Sequence, residues 1–401
     1  MCGHPEHTES VELIATEPGD VIVGPTVLPT PLSVRLIVFV AWRDLGFARG
    51  RFALIASVVL LITLLVGFLG GLTQGLANAN ISAMVPFQAD KVVLSEPAEG
   101  KTLSYSESTI STEAADIWAA ADGVEAVEPL GILTSRVTAA GDREQTASLF
   151  GVDSTFTAIS PDQQIPVEAG TVVLSERSHE ALLADVGDEI SIFGDTFTVV
   201  GISQDAEYSH TGVIWTTIDD WRATVAKQTA ADAPFATSLI VQGSPTDAAA
   251  VDAEAGTVSS SPLVSLMAIE VFKSEIGSLA LMLGLLLGIS ALVIGAFFTV
   301  WTIQRSKDIA VLKALGSSTG SLVRDALGQA LVVLLIGVGL GIGLTVAAGA
   351  ALPAAVPFVI SPLTTIVPGI AMVALGLVGA AFALRSVIKT DALSALNAQN
   401  S

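Results

Sequence analysis

The sequence predicts a membrane protein with four transmembrane helices and a large extracytoplasmic α+β domain inserted between helices 1 and 2. Three observations predict it. First, no charge occurs in Phe52–Ala89, Ile276–Gln304 or Ala326–Leu384. A helix needs about 20 apolar residues to cross roughly 30 Å of hydrocarbon. The first two runs therefore hold one span each, and the third holds two, divided by the turn-forming stretch around Pro353, Pro357 and Pro362. Second, residues 76–275 carry 8 Lys+Arg against 30 Asp+Glu, while the rest of the chain carries 10 against 9. Third, those remaining cations sit beside the span ends, at Arg43, Arg49, Arg51, Arg305, Lys307, Lys313, Arg324, Arg385 and Lys389. Cations gather on the cytoplasmic side of a membrane. Both termini and the 305–325 loop are thus expected inside, and the acidic insert outside.

Composition narrows the function classes. With 51% hydrophobic and 14% charged residues in 401, the chain is too apolar for one soluble domain. A net charge of −21 speaks against nucleic acid, which needs a basic face. The one cysteine, Cys2, excludes a disulfide framework and a multi-thiolate metal site.

Residues 1–31 show no periodicity and read as a flexible tail; Cys2, His4 and His7 form no convincing metal set there. The first apolar run begins too late and runs too long for a cleaved signal peptide. Residues 32–50 read as an amphipathic helix at the inner surface, with Trp42 at the interface. Helix 1 is expected over 51–85, longer than the bilayer requires, and helix 2 over 267–304, so that both rise as a stalk into the 86–266 domain. Small residues at four-residue spacing mark one face of helix 1 (Gly67, Gly71, Gly75, Ala79), of helix 2 (Ala280, Gly284, Gly288) and of helix 3 (Gly337, Gly341, Thr345, Gly349). Such stripes let helices approach closely, without saying which helix meets which. Helix 3 is expected over 326–352, an outer loop over 353–365, helix 4 over 366–386 and a cytoplasmic tail over 387–401.

Within the insert, Val92–Ser95 reads as a strand and Ser111–Ala121 as a capped helix closed at Asp122-Gly123. Thr134–Ala139 with Glu144–Phe150, and Glu189–Phe193 with Thr196–Ile202, read as hairpins. Val213–Thr216 and Ser238–Val241 are further strands. In the loop at 305–325, Ile309, Leu312 and Leu315 share one helical face and Gly316 ends the helix. Such a helix fits lipid or a partner's groove equally well.

No enzyme is legible. Gly100-Lys101-Thr102 ends like a phosphate loop, but Ser95 stands where its first glycine belongs, and the segment lies outside. His179 and His210 are the insert's histidines and have no metal-spaced partner. Tyr208-Ser209-His210 holds metal- and haem-ligand residue types but reads more simply as a surface loop. Energy for transport would have to come from another subunit.

These features resemble the MacB/FtsX-like permeases of ATP-binding cassette transporters over about residues 32–395. The loop Arg305-Ser306-Lys307-Asp308-Ile309-Ala310-Val311-Leu312-Lys313-Ala314-Leu315-Gly316 is similar to that family's Arg-x-x-Glu-Ile-x-x-Leu-Arg-Ala-Leu-Gly signature, with Asp308 for the glutamate. Ile388-Lys389-Thr390-Asp391-Ala392-Leu393 resembles the family's tail without its proline. Val186-Gly187-Asp188-Glu189-Ile190 with Phe197–Ile202 resembles its small external β-unit. The resemblance implies two permease copies with two cytoplasmic ATPases that carry ATP-Mg, a chain without intrinsic cofactor, and a loop helix docking through Arg305, Lys307, Asp308, Ile309, Leu312, Leu315 and Gly316.

Ala41-Trp42-Arg43-Asp44-Leu45, Gly50-Arg51-Phe52 and the Gly67–Gly75 run look most like haem-exporting permeases of Gram-positive bacteria (HrtB-like). That likeness implies haem as transported substrate and a plasma-membrane location. A pocket for it is expected at the outer membrane edge, at Gln74, Asn78 and Met84 on helix 1 and Met267, Glu270 and Glu275 near helix 2; methionine is a haem ligand type. Alternatives are FtsX-like mechanotransmission to an external cell-wall hydrolase, export of a peptide, lipid or macrolide, and a sensor without an ATPase.

Overall fold

The computed structural model describes residues 49–154, 156, 165–304, 311, 318–353 and 356–388. The 1–31 tail, the 32–50 helix but for its last two residues, the coupling residues from Arg305 to Gly316 and the tail beyond Ile388 lie outside the described residues.

Helix α1 (Arg49–Ile81) has 33 residues and spans roughly 50 Å at 1.5 Å per residue. It ends four residues before the expected Val85. The cause is tertiary: the Ala83 amide donates to the Glu207 carbonyl (3.1 Å), and the chain turns away.

The inserted domain follows as β1 (Lys91–Ser95), α2 (Thr112–Ala120), β2 (Val124–Ala139), β3 (Arg143–Val152), β4 (Thr171–Ser175), α3 (Glu176–Leu182), β5 (Glu189–Ile192), β6 (Asp195–Ser203), β7 (Glu207–Tyr208), β8 (Thr211–Thr217), α4 (Ile218–Thr229), β9 (Ser238–Gly243), α5 (Ala248–Ala255), β10 (Thr257–Ser260) and α6 (Pro262–Ser265). Each expected strand and the expected helix is present, most of them longer. Ser111 caps α2 by accepting from the Ala114 amide, and α2 buries Ala114, Ala115 and Trp118. The elements β4, α3, β7, α4, α5, β10 and α6 were not anticipated.

The strand order is β10-β1-β9-β2-β3-β8-β4-β6-β5, with β7 beside β8. The 16-residue β2 serves both halves of the sheet. It pairs β9 through Val124–Leu130 and β3 through Gly131–Ala139, and it meets β5 at Val137↔Ile192, closing β2-β3-β8-β4-β6-β5 into a ring.

One core gathers Phe150, Tyr208 and Trp215 from the sheet with Met84 and Phe87 from the chain's entry and Leu266, Ile269 and Phe272 from its exit. Burial of these side chains, about 1.5–3 kcal/mol each, ties the domain to both connecting helices. A second core is built on Trp221 of α4. Gly131 and Gly151 lie against its ring and side chain, where any Cβ would overlap.

Three apolar helices close the chain: α7 (Glu270–Gln304), α8 (Thr319–Ala350) and α9 (Pro362–Ile388). With α1 they are, among the described residues, the four helices long and apolar enough to cross a membrane. Their bounds correct the expected ones. Leu266–Ala268 forms a 3₁₀ turn, so α7 starts at Glu270 and not at Met267. Helix α8 begins at Thr319, inside the expected 305–325 loop, because Ser318 caps it. Helix α9 begins at Pro362, not at residue 366, with the Ser361 hydroxyl accepting from the Thr364 amide (3.3 Å) and proline in the first turn.

The small-residue stripes separate into two kinds. A Cβ on Gly67 would press on Thr345, one on Gly337 on Val59, and one on Gly341 on Thr63, so α1 and α8 cross on their glycines. On α7, by contrast, Gly284 and Gly288 face open space; its close crossing is deeper, where Gly295 meets Gly379 of α9.

Candidate functional site

The site lies where α1 meets the inserted domain. The last carbonyls of a helix lack intrahelical donors. Here the β7–β8 turn supplies them: the Ser209 amide donates to the Asn80 carbonyl (3.2 Å) and the His210 amide to the Ala79 carbonyl (2.8 Å). Both turn residues are left-handed, Ser209 at φ 48° and His210 at φ 63°. A two-residue hairpin requires that conformation, and glycine or asparagine adopts it most easily. The strain is held by the docking. The hairpin is tied down again as the Glu207 amide donates to the Ser82 hydroxyl (2.8 Å).

The turn aims His210 at α7. Its Nε2 lies 2.8 Å from Glu275 Oε1. Asn80, 0% exposed, donates from Nδ2 to Glu275 Oε2 (2.8 Å) and to the Leu76 carbonyl (2.9 Å). With Nε2–H given to the glutamate, the 3.2 Å approach of Asn80 Nδ2 to His210 Nε2 is a proximity and not a further bond. Asn80 Oδ1 is buried without a partner. Two side chains, one from α1 and one from the domain, thus converge on one carboxylate of α7.

Beside this knot opens a cavity of about 540 Å³. Its lining comes from α1 (Gly75, Asn78, Ala79, Ser82 just beyond), α3 (Glu176, Arg177, Glu180), the hairpin and its approach (Asp205, Glu207, His210) and the α8–α9 loop (Val356 to Val359). Part of the lining is apolar, around Pro357 and Phe358; much of the rest is charged. Arg177 Nε is 2.9 Å from Glu207 Oε1. Burial nevertheless pushes the Glu207 carboxyl above its usual range, Arg177 offsetting this in part and Asp205 reinforcing it.

Of the six expected substrate residues, the structure brings together three. Asn78 lines the cavity, Gln74 donates to it from one turn below (3.2 Å), and Glu275 belongs to the knot. The other three are elsewhere. Met84, 3% exposed, fills the domain core and has no open side; Met267 is 46% exposed, and Glu270 stands exposed at the first turn of α7. Tyr208-Ser209-His210 is not a free surface loop: Tyr208 is buried, and His210 carries the contact to α7. The sequence reading singles out none of Asn80, Arg177, Glu207 and Phe358, and it sets His210 aside as a loop residue. The available signal was a second amide, Asn80, two residues after Asn78 in an otherwise charge-free run. Among the described residues no group of three or more His, Cys, Asp or Glu is placed to hold a metal.

Comparisons with known proteins add the following. The family described as MacB-like periplasmic core domain matches residues 54–258, just over half the chain, and the FtsX-like permease C-terminal family matches residues 280–392. A Staphylococcus epidermidis chain carrying the name hemin transport system permease protein HrtB is 25% identical over 363 residues, covering 89% of this chain and 98% of its own. A chain of the same name from Staphylococcus haemolyticus matches with the same identity and coverage. Among solved structures, the periplasmic region of MacB from Actinobacillus actinomycetemcomitans is similar over 46% of this chain and 94% of its own, at 13% identity and TM-score 0.32. The extracellular domain of the transporter YknZ from Gram-positive bacteria covers 44% and 91%, at 12% identity and TM-score 0.29.

Proposed function

Since the chain belongs to the MacB- and FtsX-like permeases, we propose that it is the permease subunit of an ATP-driven exporter that lifts haem out of the plasma membrane of a Gram-positive bacterium. ATP-Mg sits on a separate cytoplasmic ABC ATPase, which docks on the Arg305–Gly316 loop, and a second copy of the chain completes a 2+2 complex within the lipid. Closure of that dimer would drive the substrate outward.

The observation that carries this reading is the cavity of about 540 Å³ at the join of α1 and the inserted domain. Pockets for small molecules run about 300–1,000 Å³. Its apolar part, with Phe358 and Pro357, suits a flat macrocycle arriving from lipid, while Arg177 and His210 suit carboxylate ends. The name of the staphylococcal relatives points to the same cargo. Titrating the purified permease–ATPase complex with hemin tests it: a shifted Soret band and faster ATP hydrolysis are expected at micromolar hemin, and neither would appear if haem is not the cargo.

A second reading, export of another amphiphile (a peptide, lipid or macrolide) bearing a cationic group, is favoured by the lining's four carboxylates, Glu176, Glu180, Asp205 and Glu207. The same hydrolysis assay with a cationic macrolide in place of hemin separates the two.

A further inference from the structure

We propose that Glu275 is a latch: gripped by Asn80 and His210, it holds the upper half of α7 against α1, and protonation of His210 tightens the grip. This goes beyond the choice of cargo and does not depend on it.

The packing of α7 is the first ground. Phe272 is buried in the domain core, and Ser290 is the next buried residue along the helix. Between them no residue is buried, a Cβ on Gly277, Gly284 or Gly288 would meet no other element within 4 Å, and Ile276 packs only in part. Seventeen helical residues, roughly 25 Å of helix at 1.5 Å each, therefore lie between two anchors with no buried side chain among them. Among the described residues, the one side-chain hydrogen-bonded link from this stretch to another element is Glu275, through the 2.8 Å bonds to Asn80 and His210.

The second ground is the contrast between the two attachments of the hairpin. Toward α1 it is held by backbone hydrogen bonds, from Ser209 and His210 to the helix-end carbonyls and from Ala83 to Glu207, which do not titrate. Toward α7 it is held by an imidazole and a carboxylate (2.8 Å), which do. An imidazolium–carboxylate bond is roughly twice as strong as its neutral counterpart. The strained left-handed turn at Ser209 and His210 is what places the ring there. Tight coupling to α1 is thus permanent, and coupling to α7 is adjustable.

Glu275 faces His210 from α7, which also carries Lys273 two residues away; Asp205 and Glu207 lie on the hairpin and its approach, and Glu176 and Glu180 on α3. Arg177, itself paired with Glu207, opposes them. The α1 wall and the α8–α9 loop bring no charge to the cavity. The charged imidazole closes the latch, and the neutral one loosens it.

Spin labels test this in the permease–ATPase complex in nanodiscs, with Cys2 replaced by serine and labels on cysteines at Leu65 of α1 and Leu285 of α7, both exposed. Excess unlabelled chain restricts the signal to distances within one chain. One narrow distance is expected at about pH 5.5, and at about pH 8.5 a longer component at least threefold more populated, because histidine titrates between those values. Glu275→Gln should show the longer component at both pH values. His210→Gln, which keeps a neutral donor, should show one distribution whatever the pH, so a folding failure of one variant leaves the other to decide. An unchanged distribution in the parent chain, or a pH response surviving in His210→Gln, would overturn the latch. Hemin binding, measured alongside by the Soret band, reports on the cargo separately.

Discussion

Gly75 of α1 lies against the backbone carbonyl of Pro357, so closely that a single Cβ has nowhere to go. The helix that carries the site is thereby registered against the loop that walls the cavity, by backbone rather than by side chains. Next to it Phe358 fills the space that Gly71 and Gly349 leave open.

Gly75→Ala should accordingly destabilise the chain by about 1–3 kcal/mol, the usual cost of forcing atoms into a packed site. Gly284→Ala, in open space on α7, should be neutral or gain up to about 1 kcal/mol from helix propensity. Thermal unfolding of both variants in the same detergent compares them; equal effects would deny the close approach.

Trp221 offers a second packing test, inside the inserted domain. Gly131→Ala should destabilise by about 1–3 kcal/mol, because its Cβ would enter the space of the buried Trp221 ring. Combined with Trp221→Phe, the loss should be smaller than the sum of the two single losses, since neighbours that share one space are not additive. Denaturant unfolding of the four chains gives the cycle.

Glu207 supplies a pH dependence. Burial raises its proton affinity in the folded chain above that of the unfolded one. Its contribution to stability is therefore fully present below the ordinary carboxylate range and is lost as pH rises through the raised value. Between about pH 4 and neutrality, the unfolding temperature of the parent chain should fall relative to that of Glu207→Gln. Arg177→Ala, which removes the offsetting cation, should widen that window toward higher pH.

Leu312→Asp addresses the link to the ATPase. It places a charge on the apolar face that the signature in the 305–316 loop implies for docking. Co-purification with the ATPase should be lost, while the hemin-induced Soret shift of the permease remains. Undiminished association would remove the loop from the docking surface.

Much of the architecture was legible in the residues because it rests on local sums. Runs without charge give spans, and alternation gave the β5–β6 hairpin, where Phe197 and Val199 are buried between exposed Thr196, Thr198 and Val200. Helix α4 could have been found too: Thr217 caps it, and Ile218, Trp221 and Val225 share its buried face.

The site was only partly legible. Asn78 and Glu275 stand out as polar groups at span ends. Asn80 and Glu275 are 195 positions apart and His210 lies 65 from Glu275, so neither spacing nor periodicity relates them.

What the sequence alone determined is which faces are apolar, small or charged, since each follows from the repeat of the backbone itself. What only the tertiary structure decided is what each face meets: the glycines of α1 and α8 cross one another while three of α7 face open space, and a histidine in a tight turn reaches a glutamate on another helix. A period of 3.6 residues specifies a surface, and its partner is chosen by chain segments far away.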